Sequence, residues 1–491
     1  MRKKLVNILN DIEKKYPVNQ WTYNGIYVWP IIKLQIYFYY LHNFIEKGVS
    51  SKSQQKSKAK RINEIFVSLI QVIRLLVKPK VKGKWIVGTE SENYKTIWNN
   101  TKINKFYHPL ETPINQEGFQ LLYLNWSSTS KNNKSSSPKG ILFMNQYYPF
   151  FRFWNKLKSF FKKPKVFFPE YKSIIEEIES EMPFKLQFSK GNEKKYLCHN
   201  IERVFSYSTS IKLVLQKYRP ELILELCYYN LANLSLNILA NESNIPVIEI
   251  QHGSLGPSHL GYTGWSNFPK NGYNLFPNKI WCWDTLSYDH INTWASKNSN
   301  IELIIGGNTW VTYIKNSKLK DLDRFFEKKT IILYTMQRNY IEDYIYETIK
   351  LSSEKYLWML RAHPRHLESI EEIKRKAAQY KIENKIELDK AQKMPLPAIL
   401  INSYLHLSEF SGSIIEAATI GTHSIILNQD GVDSYSSYID EGKATAFLSK
   451  NPEKLFHFIN NFVSDTSIKD KKLINYNNII KNIIKTSSSV S

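Results

Sequence analysis

Residues 221–253 read ELILELCYYNLANLSLNILANESNIPVIEIQHG. Glu221–Leu226 is a short apolar run with the composition of a buried strand, Asn230–Glu242 has helical character, and Pro246–Ile250 is a second buried strand. That is a strand–helix–strand unit, the building block of a parallel sheet. It ends in a turn through Gln251, His252 and Gly253. Moving outward, Lys84–Gly88 (KWIVG), Phe119–Leu124 (FQLLYL), Lys279–Asp284 (KIWCWD) and Ile301–Ile305 continue the strands, with helices expected over 170–182 and 200–218. A second alternating block begins after a charged segment at 315–330. It holds strands at Thr330–Thr335, Tyr356–Arg361, Lys385–Leu388, Tyr404–Ser408 and Ser424–Leu427. Helices are expected at 341–352, 367–380, near 396–401 and at 413–420. The expectation is therefore an α/β protein with two Rossmann-like lobes and a helical, basic N-terminal extension. The boundaries fall at 1–83, 84–315, 316–450 and 451–491, the last a helical tail packing on the first lobe.

Open α/β sheets bind ligands at the carboxyl ends of their strands, and three chemically rich segments sit there. In IPVIEIQHGSLGPSHLG (Ile245–Gly261), His252 lies two residues past a strand and is a candidate general base, with a pKa near working pH. Gln251, Gly253 and His259 would line the acceptor, glycine allowing a close backbone approach. In LRAHPR (Leu360–Arg365), Pro364 biases His363 toward an extended backbone. His363 could donate to a donor phosphate, and Arg361 and Arg365 add guanidiniums that pair phosphate. In LHLSEFSGSIIEAATIGTHSIIL (Leu405–Leu427), Ser408 ends a strand and Ser411, Gly412 and Ser413 open a helix. Helix N-termini with serine hydroxyls bind phosphate. Glu416 is placed either as a capping-box carboxylate or as a ligand to a ribose hydroxyl.

Composition narrows the classes. The chain has 491 residues, 42% of them apolar and 23% charged, so it can bury large cores and is not disordered. Three cysteines, far apart, give neither a disulfide framework nor a zinc site and suit a reducing compartment. Neither HExxH, nor GxGxxG, nor a P-loop, nor a GxSxG elbow occurs, so no metal and no dinucleotide cofactor is expected.

The net charge is +23, and residues 1–150 carry 23 Lys/Arg against 8 Asp/Glu. Such a front part needs an acidic neighbour. Nothing matches an RRM, KH, zinc-finger or helix-turn-helix pattern, so nucleic acid is not the expected partner. Ile65–Val77 (IFVSLIQVIRLLV), followed by a lysine cluster, and Tyr147–Phe168 (YYPFFRFWNKLKSFFKKPKVFF) suit the interface of an anionic membrane. No apolar stretch is long enough to span one, and no secretory signal is read at the N-terminus. The expected location is cytoplasmic, peripheral at the inner face of the cytoplasmic membrane.

Together, LRAHPR and SEFSGSIIEAATIGTHSIIL resemble the His-Pro and serine motifs of bacterial sialyltransferases, Kdo transferases and teichoic-acid glycerophosphotransferases. IPVIEIQHGSLGPSHLGY resembles the Gln-His-Gly segment of capsule and O-antigen biosynthesis proteins, and GGNTW (Gly306–Trp310) a further step of those proteins. The matching stretch is roughly 220–445. The resemblance implies a metal-independent glycosyltransferase of the GT-B kind. Its donor would be a nucleotide-sugar, a CMP-linked one among the candidates, used as co-substrate with no other cofactor. Its acceptor would be a lipid-linked or growing surface polysaccharide. Arg361, His363, Pro364, Ser408 and the Ser411–Ser413 turn would hold the donor nucleotide, Glu416 its ribose, and His252 would serve as base or orient the donor. The alternatives it leaves are a CDP-polyol phosphotransferase and a non-catalytic assembly factor.

Overall fold

Both α/β blocks expected from the sequence are present in the computed structural model. It describes residues 2–41, 43, 57–79, 81–126, 140–182, 186, 192–297, 301–317, 326, 329–364, 366–463 and 473–488. Arg365, Lys80, residues 128–138 and most of residues 50–61 and 315–330 lie outside the described residues. The chain divides into two compact units. One comprises Met1–Cys282, Tyr288–Ile304 and Asn477–Ser491; the other comprises Trp283–Ser287 and Ile305–Tyr476.

The first unit is built on seven strands: β1 (Lys84–Glu90), β2 (Phe119–Asn125), β3 (Ile141–Phe143), β4 (Leu222–Glu225), β5 (Val247–Ile250), β6 (Lys279–Cys282) and β7 (Glu302–Ile305). Their order across the sheet is β7-β6-β5-β4-β1-β2-β3. β1 therefore lies inside the sheet; the chain winds out one way to β3, crosses back beside β1 at β4, and continues the other way. β4 and β5 are buried at every position, as apolar runs in a parallel sheet covered on both faces should be. Their register pairs Glu225 with Glu249, so two carboxyl groups enter the interior side by side.

The second unit repeats the plan with β8 (Thr330–Thr335), β9 (Tyr356–Arg361), β10 (Ile386–Glu387), β11 (Ser403–Ser408), β12 (Ser424–Ile426) and β13 (Ala444–Ala446). The order is β10-β9-β8-β11-β12-β13, parallel throughout. Each sheet has a point where strand order reverses, between β1 and β4 and between β8 and β11. In doubly wound sheets a ligand crevice opens there, outside the carboxyl ends.

The front of the chain is not appended to the first unit but is part of its core. Helices α1 (Arg2–Lys15) and α2 (Trp29–Tyr40) bury Leu5, Leu9, Trp29 and Ile32 in one cluster with Trp265, Phe276 and Trp294. A fully buried ion pair, Lys33 with Glu13, pins them. The Glu13 carboxylate also accepts from the Trp29 indole at 3.1 Å and from the Ser266 and Asn267 N–H groups, and Lys33 donates to the Gly264 carbonyl at 3.0 Å. A buried charge pair is tolerated when its remaining valences are met in this way. Helices α3 (Lys58–Val77), α4 (Tyr148–Phe161) and α5 (Glu193–Tyr218) pack in series on this unit. The expected tail helix is two helices, Pro452–Asn461 and Tyr476–Ser488; the second buries Ile480, Ile483 and Ile484, and from Asn477 it belongs to the first unit.

Candidate functional site

In the first unit the turns after β1, β4 and β5 meet at the reversal point. The chain leaves β4 through Cys227, a non-glycine residue with φ of 66°. Such a left-handed conformation costs on the order of 1–2 kcal/mol, and Glu249 offsets it. The buried Glu249 carboxylate accepts the N–H groups of Cys227 and Tyr228, both at 3.0 Å, and the Tyr262 hydroxyl. Asn230 then caps α6 (Leu231–Glu242) by accepting from the Ala232 and Asn233 N–H groups.

His252 sits over this hub. Its Nδ1 lies 3.5 Å from Glu249 Oε1 and its Nε2 3.5 Å from the Tyr229 hydroxyl. The Cys227 side chain is in hydrogen-bonding contact with His252, Tyr94 and Tyr229. Burial alone would push the His252 imidazole down. Cys227 and Glu249 more than reverse that and raise it to about 9. Glu225 is pushed well above the carboxylate range by burial, its largest cause, and by the neighbouring Glu249. At neutral pH His252 is thus an imidazolium beside a carboxylate; it accepts a proton only as pH approaches 9.

His259 joins the same cluster. Its Nδ1 accepts from the Gly261 N–H at 3.2 Å, which leaves Nε2–H to donate to the Tyr229 hydroxyl at 3.2 Å. Gly261 is required by packing: a Cβ there would stand 2.8 Å from Tyr229 Cδ1. Gly253 is different. Its φ is not in the left-handed region and a Cβ would meet nothing within 4 Å, so neither the backbone nor the protein packing there requires glycine. Gln251 is buried and donates to the Gly253 carbonyl at 3.0 Å, making it a brace of the loop.

In the second unit, His363, Pro364, Ser411 and Gly412 lie beyond the carboxyl ends of β9 and β11 and keep some exposure. The serines divide. Ser408 Oγ is buried and donates to the Thr335 carbonyl at 2.9 Å. Ser413 Oγ is buried between Thr335 Oγ1 at 2.9 Å and His406 Nε2 at 3.2 Å. The capping box considered for Ser413 and Glu416 is therefore not formed. The helix α7 (Ser413–Ile420) starts from Gly412 without a side-chain cap, because the Ser413 hydroxyl is engaged in the interior. Ser411 is the half-exposed serine of the turn, its Oγ accepting from the Ser413 N–H at 3.3 Å.

Sequence reading passed over His406. It is fully buried on β11, with Nε2 2.8 Å from Thr335 Oγ1 and Nδ1 2.9 Å from Ser424 Oγ. With no charge to oppose it, burial lowers it to about 3, so it is neutral and ties β8, β11 and β12 to the first turn of α7. Arg361 is also turned to a bracing role. Its Nη1 donates to the Ala391 and Met394 carbonyls at 2.6 and 2.7 Å. Burial lowers it to about 10 despite the neighbouring Glu416 carboxylate, itself buried in the first turn of α7. At the rim, Arg338 Nε pairs with Glu409 Oε2 at 2.9 Å while staying part-exposed, a cation the motifs did not flag.

Among the described residues no cluster of His, Cys, Asp and Glu could hold a metal ion, and no helix is long and apolar enough to cross a membrane. A cavity of about 890 Å³ lined by Lys212, Arg219, Glu221 and Glu242 lies at the opposite, amino ends of β4 and β5, away from His252.

No family model and no curated protein matches the chain. Among solved structures it is similar to a UDP-GlcNAc 2-epimerase from Neisseria meningitidis bound to UDP-GlcNAc. That match has 12% identity, covers 83% of this chain and 100% of the other, and has a TM-score of 0.49. It is also similar to the calicheamicin glycosyltransferase CalG4 (10%, 83% and 95%, TM-score 0.45). A third is Anabaena HepE in complex with UDP and glucose (10%, 83% and 95%, TM-score 0.41). Likeness at this level assigns no activity to the chain.

Proposed function

We infer that the chain is a glycosyltransferase of the GT-B kind, taking a sugar from a nucleotide-sugar and delivering it to a hydroxyl of a surface glycan. The observation that carries this reading is the Ser411–Gly412 turn at the start of α7, beside the reversal point of the second sheet. Backbone N–H groups and the helix dipole there favour a phosphate. His363 would donate to the same diphosphate or phosphate, and Glu416, in the first turn of that helix, would take a ribose hydroxyl. His406, Thr335 and Ser413 hold that turn rigid, which is what phosphate positioning needs.

In the transfer, the bond from the anomeric carbon to the leaving phosphate oxygen breaks and a bond to the acceptor oxygen forms. The departing negative charge is met by the α7 terminus and His363. The acceptor hydroxyl gives up its proton to a general base; within the first unit His252 in its neutral form is the group suited to take one, with Glu249 sharing the positive charge that results.

The test is nucleotide release by the purified chain from CMP-, UDP- and GDP-sugars and from CDP-glycerol, with bacterial lipid extract as acceptor. Release from one nucleotide-sugar, lost in His363→Ala and His252→Ala, supports the reading. Release from CDP-glycerol alone would reassign the chain to polyol-phosphate transfer. A folded chain that releases nothing and binds no nucleotide would leave a non-catalytic assembly role.

A further inference from the structure

Helices α3 and α4 each carry two apolar faces, and only one of each is covered. On α3 the inner face buries Ser68, Val72 and Leu75. Ser68 Oγ donates to the Tyr147 carbonyl at 2.9 Å and accepts from the Phe150 N–H at 3.1 Å, locking α3 to the start of α4. Lys217 at the end of α5 donates to the carbonyls of Leu75 and Lys78, at 2.5 and 2.7 Å, fixing the other end of α3. On α4 only Phe151 is buried, and Asn155 donates to the Phe205 carbonyl and Thr209 Oγ1 of α5. The pair is thus a fixed ledge on the first unit.

Its outer side is apolar. Phe66 is 61% exposed, Val77 79%, Phe160 84% and Phe161 81%, with Leu76 and Trp154 also exposed. Soluble monomers do not leave this many aromatic and aliphatic side chains exposed along two packed helices without a use for them. The surrounding charge is predominantly positive, Glu64 standing against Lys58, Lys60 and Arg61 on α3. Residues 148–168 contain no Asp or Glu, and Lys158, Lys162 and Lys163 follow or interleave the aromatics. Lys78 and Lys82 stand just past the end of α3, and all five lysines are exposed. Lys158 Nζ lies 5.5 Å from the Trp154 ring centroid, its stem along the ring and its charge at the rim, as a side chain does at a headgroup boundary.

We propose that the outer faces of α3 and α4 form a docking surface for an anionic phospholipid bilayer, with the phenylalanines entering the acyl boundary and the lysines pairing lipid phosphates. Two signals together make such binding stable where one would be marginal. With no spanning helix among the described residues, the attachment lies in the plane of the interface. A protein partner covering this face would need acidic groups all round an apolar centre; a bilayer containing anionic lipid supplies both at once. The inference is independent of the donor chemistry proposed above.

The test is co-sedimentation of the full chain with phosphatidylcholine vesicles and with vesicles containing about 30% phosphatidylglycerol. Beside it go Phe160→Ser/Phe161→Ser and Lys162→Glu/Lys163→Glu, all at positions outside the core. Binding to the anionic vesicles that falls about tenfold or more in each double variant, with unchanged melting temperature, is the expected result. Binding should also fall in high salt. Absence of binding to anionic vesicles, or equal binding by the variants, overturns the proposal. So does a concentration-dependent dimer that the phenylalanine variant abolishes, since the face would then join two copies of the chain.

Discussion

Each unit places a histidine on the same side of its sheet's reversal point, one past the second strand and one within the first, and gives it opposite chemistry. His252, just past β5, has a buried carboxylate and a cysteine beside it and is raised to about 9. His406, near the end of β11, has only hydroxyls around it and is lowered to about 3. Burial acts the same way on both, against the cation. What differs is Cys227 together with Glu249, the latter's cost of burial met by two backbone N–H groups and a tyrosine hydroxyl. One parallel-sheet crevice thus holds a charged imidazole, and the other a neutral one that braces the Ser411–Gly412 turn.

The largest expected effect is on the neutral side. His406→Ala leaves a cavity and strips partners from Thr335, Ser413 and Ser424, and should cost about 3–5 kcal/mol in denaturant unfolding. The acid dependence has a definite sign. Below pH 6.5 the unfolded imidazole binds a proton that the folded one refuses until about pH 3. Stability contributed by this group is intact above pH 6.5 and declines as pH falls toward 3, by on the order of 4 kcal/mol. His406→Gln should flatten that decline; an identical pH profile would mean His406 is not the group responsible.

On the charged side, Glu249→Gln should cost about 2–3 kcal/mol and lower the His252 pKa. Because His252 is raised in the fold, its contribution to stability is complete below pH 6.5 and lost as pH rises through about 9. If His252 is the base, the kcat/KM profile climbs to about pH 9 in the wild type, and the climb moves to lower pH in Glu249→Gln. A smaller effect, about 1–3 kcal/mol, is expected for Gly261→Ala, which drives a methyl against Tyr229. Gly253→Ala, with open space around it, should leave stability unchanged, and a loss like that of Gly261→Ala would contradict the packing described.

Smallest is the split between serines. Ser411→Ala should weaken nucleotide binding by about 0.5–1.5 kcal/mol at unchanged melting temperature. Ser413→Ala should lower the melting temperature first.

Much of this was legible in the sequence where one physical signal dominates. Apolar runs bounded by turn residues located Thr330–Thr335 and Tyr356–Arg361 to the residue. The edge strands Ile141–Phe143 and Ala444–Ala446 were missed, because three residues pairing on one neighbour carry too little pattern. Among site residues, the positions of His363 and Ser411 follow from lying just past a strand. The roles of Ser408, Ser413 and Arg361 did not, since whether a hydroxyl or guanidinium turns inward depends on a partner distant in sequence. His406 is such a partner, 71 residues from Thr335. Glu225 and Glu249 left a trace that could have been used: a carboxylate inside LILE and VIEI is a charge within a buried strand, and it needs a reason to be there.

The most direct test of the central claim is calorimetric titration of the purified chain with CMP, CDP, UDP and GDP, repeated with His363→Ala and Ser411→Ala. The account predicts saturable binding of one nucleotide, weakened in both variants while their melting temperatures hold. Wild-type binding that neither variant changes would contradict the placement of the donor at the α7 terminus, and a folded chain that binds none of the four would contradict the transferase reading itself.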